Sequence, residues 1–298
     1  MKTSDNREMA HELEKCRALV EEKLSGYFIA DNEEYSELLE SMRYSLLAGG
    51  KRIRAVICIK FCEAAGGKAE AALDAACAIE MLHAYTLIHD DLPCMDDSGM
   101  RRGKPSNHIK FGEFTAMLAG DALQAVAFET VLGSALPSDV VLEMAGILAK
   151  AASAHGVCGG QFLDLHNVNK QLSVNELTVM HSLKTAALIS ASARIGVVAA
   201  GGTQYQINAA AEYANAIGLA FQVRDDLLDM TANAELLGKP TGSDMRNSKT
   251  TYANLMGTRA CENIIQSETD NAIRALKDAF DNTTFLECLA HTLAERER

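Results

Sequence analysis

Two runs of aspartate carry the strongest chemical signal in this sequence. The first, Asp90-Asp91-Leu92-Pro93-Cys94-Met95-Asp96-Asp97, is followed by Arg101, Arg102 and Lys104. The second, Asp225-Asp226-Leu227-Leu228-Asp229, is followed by Lys239 and Lys249. Each comes after an apolar run of helical character, so carboxylates gather at the end of a buried element. Like charges this close repel and do not all ionise unless something neutralises them. Hard divalent cations take oxygen ligands, and Mg²⁺ shares carboxylates with substrate phosphates. Acid clusters trailed by cations therefore read as two halves of one metal and phosphate site.

Helical spacing places His83, Leu87 and Asp90 or Asp91 on one side of the element before the first cluster. Pro93 disturbs that helix, which puts Asp96 and Asp97 on a bulge or exit loop where Asp90 and Asp96 can converge. An acidic helix end on the surface is the plainer reading, but negative charge there opposes the helix dipole. In the second cluster Asp225 and Asp229 are i, i+4 neighbours, and Gln222 lies one turn before Asp226. The segment Gly49-Gly50-Lys51-Arg52-Ile53-Arg54 offers a glycine cap for the preceding helix, with Lys51 and Arg54 turned toward a common anion. In isolation it would pass for an ordinary basic turn. The glycines of His155–Gln161 lack the strand and Gly-Lys-Ser/Thr of a nucleotide loop and fit close helix approach better. Lys184-Thr185 sits in a helical pattern, where a buried lysine needs an anionic partner.

The elements that must position these groups are helices. Hydrophobic residues make up 48% of the 298, enough for a substantial core. The four prolines, Pro93, Pro105, Pro137 and Pro240, all fall at apparent loops or helix ends. Helical patterns cover 69–89, 113–134, 139–154, 174–200, 206–230 and 261–280, and residues 1–24 are charged and helical in period. No alternating strand pattern with hairpin turns is evident. The expectation is an all-α protein, a single domain over residues 1–298 built as one large helical bundle. No apolar stretch is read as approaching the ~20 residues of a membrane span. The eight cysteines lack paired metal-ligand spacing and are expected to be reduced core residues of a cytoplasmic protein. A net charge of −12 argues against nucleic acid as a partner.

Taken together, these residues make the chain resemble the short-chain trans-polyprenyl diphosphate synthases, and within them the bacterial-type farnesyl diphosphate synthases. The likeness runs from about Tyr44 to Gly257. It rests on Gly49–Arg54, on Leu87-Ile88-His89-Asp90-Asp91-Leu92-Pro93, on Arg101-Arg102-Gly103-Lys104-Pro105 and on Leu118-Ala119-Gly120-Asp121-Ala122-Leu123. Gly159-Gly160-Gln161, Lys184-Thr185, Phe221–Asp226 and Lys249-Thr250-Thr251-Tyr252 complete it. The resemblance implies a helical bundle with both aspartate clusters facing across a deep central cavity, and a Mg²⁺-dependent prenyltransferase, with Mn²⁺ as a possible substitute. It condenses isopentenyl diphosphate with dimethylallyl and then geranyl diphosphate to give farnesyl diphosphate. Three Mg²⁺ ions bridge Asp90, Asp96 and Asp225 to the allylic diphosphate, and the catalytic set is Asp90, Asp91, Asp96, Asp225, Asp226 and Lys184. Arg101, Lys184, Thr185, Gln222, Lys239 and Lys249 are the expected holders of the allylic diphosphate. Lys51, Arg54, His83 and Arg102 are the expected isopentenyl diphosphate pocket. Tyr85 and Thr86, before the first cluster, are the expected chain-length residues, and a homodimer is implied.

The chemistry also follows from the residues. Breaking an allylic C–O bond leaves charge on diphosphate that metal ions and cations stabilise, and no protein nucleophile is needed. Three departures from the pattern stand out: Ser98-Gly99-Met100 where relatives continue with acids, Ala186 after Lys184-Thr185, and the weakly basic ending Glu295-Arg296-Glu297-Arg298. Closure over the substrate by that ending is in doubt. Competing readings are geranylgeranyl or geranyl diphosphate synthesis, a terpene cyclase, and a non-catalytic helical partner subunit. A cyclase lacks need of Lys51 and Arg54, and a partner subunit lacks need of the acids.

Overall fold

The structure, a computed structural model, describes residues 3–29, 34–231 and 250–296. Among these residues it is helical throughout except for a two-residue antiparallel strand pair, Met100–Arg101 (β1) with Lys104–Pro105 (β2). Residues fall into two compact units: Ala10–Leu148 with Ile195–Gly201, and Met1–Met9 with Ala149–Arg194 and Gly202–Arg298.

The first of these units holds most of α1 (Thr3–Ser25), then α2 (Ser36–Leu46), α3 (Ile53–Ala64), α4 (Ala69–Asp90), α5 (Asn107–Phe111), α6 (Glu113–Leu132) and most of α7 (Ser138–Ala152). α4 packs against both α3 and α6 and is apolar on nearly every side, as a helix enclosed by neighbours must be. Ile57, Ile59, Phe61, Ile79, Met81, Leu82 and Ile88 are fully buried along these contacts. At the far end of α10 (Ala187–Ala199) a β-carbon built on Gly196 would overlap the Cys58 carbonyl, so only glycine lets that turn lie on α3.

α2 ends at Leu46, where Leu47 N–H bonds the Arg43 carbonyl (2.9 Å). The expected glycine cap therefore lies later in the chain: Gly49 (φ 85°) and Gly50 (φ 125°) form the turn into α3 instead. In that turn Arg52 adopts a left-handed conformation (φ 50°) and is buried. Its guanidinium donates to Glu21 (2.7 Å), Glu80 (3.2 Å) and the Leu46 carbonyl (2.6 Å). Glu80, 2% exposed in the middle of α4, also accepts from Ala55 N–H (3.3 Å) in the first turn of α3. One buried ion pair thus fixes α2, α3 and α4 relative to one another.

The other unit holds α8 (Val157–His166), α9 (Val174–His181), a π-helical turn (Ser182–Ala186), the start of α10, α11 (Gln204–Thr231), α12 (Tyr252–Met256), α13 (Thr258–Ala279) and α14 (Thr284–Glu295). Ser173 and Glu176 form a reciprocal capping box that starts α9. α11 runs along α13, and Leu177, Met180, Val223, Leu227, Tyr252, Cys261 and Ile265 close the core. The helix expected over 174–200 is therefore interrupted, and the interruption falls on Lys184-Thr185.

One expectation is qualified and another corrected. Three helical stretches, Ala69–Asp90, Ser138–His166 and Val174–Ala199, do have the length and mean hydropathy of a membrane span. Of their apolar windows 67%, 44% and 61% respectively is buried inside the protein. Core helices enclosed on several sides reach that hydropathy by packing alone. Of the eight cysteines, none of them in a disulfide, Cys94 and Cys158 are exposed rather than in the core. Burial pushes the Cys62 thiol up to about 11 and Cys77 to about 12, so both stay protonated.

The Arg52–Glu80 pair makes a stability prediction. Glu80→Ala leaves Arg52 buried with one fewer counter-charge, which costs about 3–5 kcal/mol. Chemical denaturation of the variant checks it, and a loss within about 0.5 kcal/mol of zero, as at an ordinary surface site, would contradict it.

Candidate active site

In the first unit the chain folds back on itself after α4. Asp96 N–H bonds the Asp90 carbonyl (3.0 Å), Asp97 N–H the Leu92 carbonyl (3.1 Å) and Ser98 N–H the Asp91 carbonyl (3.2 Å). This turn sets Asp90 and Asp96 side by side, with Asp90 half-buried and Asp96 and Asp97 exposed. Asp91 points elsewhere: it is buried and gripped by Arg101, whose Nε lies 3.0 and 3.1 Å from its two oxygens and whose Nη2 bonds Oδ1. The same Nη2 lies 3.8 Å from Asp90 Oδ2. Arg101 is brought there by the β1–β2 hairpin, whose turn residues Arg102 (φ 52°) and Gly103 (φ 74°) have the positive φ pair of a tight hairpin turn. Arg101, expected on the allylic diphosphate, is thus already the counter-ion of Asp91.

The expected isopentenyl diphosphate residues Arg54, His83 and Arg102 gather beside this hairpin. Arg54 Nη1 sits 3.4 Å from His83 Nε2. Arg102 donates to the Gly49 carbonyl, and its guanidinium lies against Gly50, where a β-carbon would come within 3.1 Å. Lys51 is exposed nearby in sequence. The cluster is strongly positive. Burial, followed by Arg54, Arg102, Arg52 and Arg101, holds His83 well below the ordinary histidine range. Burial also lowers Arg54, with Arg102 adding to it against the opposing pull of Glu80. Arg54 Nε is buried with no hydrogen-bond partner. Guanidinium groups crowded this way, one with an orphaned donor, suit an incoming anion of high charge.

In the second unit Gly160 of α8 meets the π-turn so closely that a β-carbon would overlap the Lys184 backbone nitrogen. That contact bears out close helix approach as the role of the glycine segment. One turn along α8, Asp164 accepts from Lys184 Nζ (2.6 Å) and supplies the anionic partner the sequence called for. Thr185 Oγ1 donates to Gln222 Oε1 (3.4 Å), and Gln222 Nε2 donates to Asp226 Oδ1 (3.3 Å). Asp226 Oδ2 accepts Tyr252 N–H (2.8 Å). Lys184, Thr185, Gln222, Asp226 and Asp164 line a pocket of about 150 Å³. A groove of about 690 Å³ in the same unit is larger, but it contains none of the expected site residues. The smaller pocket is therefore the candidate. Ala186 rests on Gly218 of α11, so its methyl is housed by a glycine across from it.

Asp225 is half-buried and paired with Arg296, which sits 3.7 Å over the Phe221 ring and donates to the Phe221 carbonyl (3.3 Å). Sequence reading gave Arg296 no role, because only its place in the fold reveals it. Asp229 is buried. Lys239 and Lys249 lie outside the described residues. Tyr85 is buried with its ring edge-on to His89, centroids 5.0 Å apart, and Thr86 Oγ1 donates to the His83 carbonyl (2.8 Å).

Among the described residues no three His, Cys, Asp or Glu side chains converge as a metal cage. The carboxylates present do fit Mg²⁺, which keeps several waters and binds through one or two carboxylates plus substrate phosphates. Asp90 and Asp96, adjacent across the turn, supply such a pair, and Asp225 a single carboxylate.

The His83 shift carries a sign. A folded state that keeps this imidazole neutral binds fewer protons than the unfolded chain. Its stability contribution is complete above the unfolded value of about 6.5 and falls, by at most about 1.4 kcal/mol per pH unit, as pH drops below it. His83→Gln is expected to flatten the stability profile between about pH 7 and 5 relative to the unsubstituted protein. Parallel denaturation curves for the two proteins at both pH values would contradict the assignment.

Residues 35–289 match the family described as polyprenyl synthetase. Among curated proteins, the chain is 49% identical over 226 residues to the heterodimeric geranylgeranyl pyrophosphate synthase large subunit 1, chloroplastic, of Arabidopsis thaliana. That match covers 73% of this chain and 61% of the relative, so the chain spans about three fifths of the relative's length. It is 42% identical over 255 residues to the geranylgeranyl diphosphate synthase of Cyanophora paradoxa, covering 85% of this chain and 84% of that one. An FPP/GFPP synthase from Zymomonas mobilis, solved as an apo crystal structure, superposes with a TM-score of 0.87 at 30% identity, covering 97% and 99% of the two chains. Geranylgeranyl pyrophosphate synthetase from Pyrococcus horikoshii gives 0.87 at 31% identity, covering 97% and 98%. With its all-α fold and a match spanning most of its length, the chain belongs to the polyprenyl synthetase family.

Proposed function

We propose that this protein is a prenyltransferase that joins isopentenyl diphosphate to an allylic diphosphate. The observation that carries the reading is the end of α4. There Asp90 and Asp96 share one turn, beside an arginine cluster with an orphaned guanidinium donor. Crowded carboxylates next to crowded cations suit a ligand that brings both metal ions and phosphate charge. When bound, Mg²⁺ supplies Lewis-acid stabilisation of the departing diphosphate.

The chain's own residues do the rest. Asp90, Asp96 and Asp225 would hold the ions, and Lys184, Thr185 and Gln222 orient the allylic diphosphate, Lys184 braced by Asp164 and Thr185 linked to Gln222. Arg54, Arg102 and Lys51 hold isopentenyl diphosphate, with neutral His83 as a hydrogen-bonding neighbour. No side chain serves as nucleophile, because the double bond of isopentenyl diphosphate attacks the allylic carbon. The proton lost afterwards goes to the released diphosphate, which is the nearest strong base.

The expected farnesyl product yields here to a geranylgeranyl product, which the names of the relatives favour. One observation favours the shorter product: Tyr85 is a buried aromatic five residues before Asp90, about 7.5 Å along the axis at the helical rise. We take Tyr85 as the floor against which the growing chain stops, whichever length that sets.

Two outcomes test this. With labelled isopentenyl diphosphate, an allylic diphosphate and Mg²⁺, the protein should make prenyl diphosphate, and chelator should abolish it. Asp90→Ala and Asp225→Ala should each lower turnover about 100-fold or more while the fold survives, by analogy with removing one stabiliser of developing charge. Near-normal turnover in both would sink the metal assignment. Tyr85→Ala should lengthen the product by at least one isoprene unit on chromatography, and an unchanged length distribution would remove Tyr85 as the floor.

A further inference from the structure

The runs Leu87–Pro93 and Leu118–Leu123 each contain a residue to which no role has yet been given: His89 and Gly120. The structure puts them in contact. His89 Nε2 lies 3.0 Å from the Met117 carbonyl of α6, so this nitrogen carries the hydrogen and donates across the helix pair. A β-carbon built on Gly120 would overlap the imidazole at the same nitrogen, so α6 is bare where His89 rests on it. Asp121 Oδ1 is 3.8 Å from Nε2. On its other side the imidazole meets the edge-on Tyr85 ring at an interplanar angle of 83°. Tyr85 and His89 are i, i+4 neighbours and share a helix face, while Asp90 follows about 100° further round.

We propose that His89 is a positioning residue for product length: seated in the gap at Gly120, it fixes the Tyr85 ring and the α4–α6 seam that together set the channel floor. The proposal rests on the prenyl-transfer reading. An aromatic floor terminates a growing chain only if the ring is held, and edge-to-face packing on an anchored imidazole holds it. Gly120 is then a specificity position with no side chain of its own.

The test uses the full chain with Mg²⁺, isopentenyl diphosphate and dimethylallyl diphosphate, reading product lengths, KM for isopentenyl diphosphate and thermal stability. His89→Ala and Gly120→Ala should each raise the proportion of product one isoprene unit longer by roughly two- to tenfold, the size expected for losing one oriented ring pair. KM for isopentenyl diphosphate should stay within about twofold, a split that loss of general structure would not give. His89→Gln, which keeps an N–H for the Met117 carbonyl, should shift the product less and remains informative if His89→Ala folds poorly. The double variant His89→Ala/Gly120→Ala should shift less than the two single changes combined, because the added methyl fills part of the space the imidazole leaves. Wild-type product ratios in folded His89→Gln and Gly120→Ala, or a uniform loss of all products, would overturn the proposal. A wild-type chain that makes no prenyl diphosphate would defeat the activity reading and this proposal with it. That result is distinct from an active enzyme indifferent to His89.

Discussion

Carboxylates at the C-terminal end of a helix face both their neighbours' charge and the negative end of the helix dipole, and each needs compensation. This protein places Asp90 and Asp91 at the end of α4 and Asp225, Asp226 and Asp229 in the last turns of α11. Much of the surrounding structure answers to that constraint. The β1–β2 hairpin returns Arg101 to Asp91, and the residue after α14 brings Arg296 to Asp225. Asp226 accepts from Tyr252 N–H and from Gln222 Nε2. These contacts hold the carboxylates in place, with Asp90 half-buried and Asp96 exposed.

The cationic cluster has the complementary problem. Arg52 is compensated by Glu80 and Glu21, and that buried pair ties three helices together. Among the described residues no carboxylate bonds Arg54 or Arg102 directly, although Glu80 acts on both from a distance, and burial with the surrounding arginines disfavours charge on His83. Pre-arranged charge of this kind needs little reorganisation when an anionic ligand arrives. Arg52 gives α3 its start, and Arg54 follows within the first turn of that helix, so fold and site share one network.

The helices were legible in the sequence because long amphipathic or apolar stretches signal themselves by period. The 69–89, 113–134 and 206–230 patterns match α4, α6 and α11 to within a few residues. The π-turn was not legible, because its cause is tertiary: Gly160 presses on the Lys184 backbone, and no local propensity encodes that. Asp164 was within reach of sequence reasoning, one turn after Gly160 on the face that meets Lys184. Arg296 and the His89–Gly120 contact were not, since each joins segments far apart in the chain. Arg101 shows a further limit: residue type marked it as a phosphate ligand, while geometry gives it first to Asp91.

The central claim is that Mg²⁺ and diphosphate bind together, each completing a site the other leaves unfinished. Calorimetric titration with inorganic diphosphate, with and without Mg²⁺, tests it most directly. Linkage requires that if Mg²⁺ tightens diphosphate binding, diphosphate tightens Mg²⁺ binding by the same factor. The account predicts weak binding of Mg²⁺ alone, a gain of about tenfold or more in diphosphate affinity when Mg²⁺ is present, and loss of that gain in Asp90→Ala. Equal diphosphate affinity with and without Mg²⁺ would contradict it.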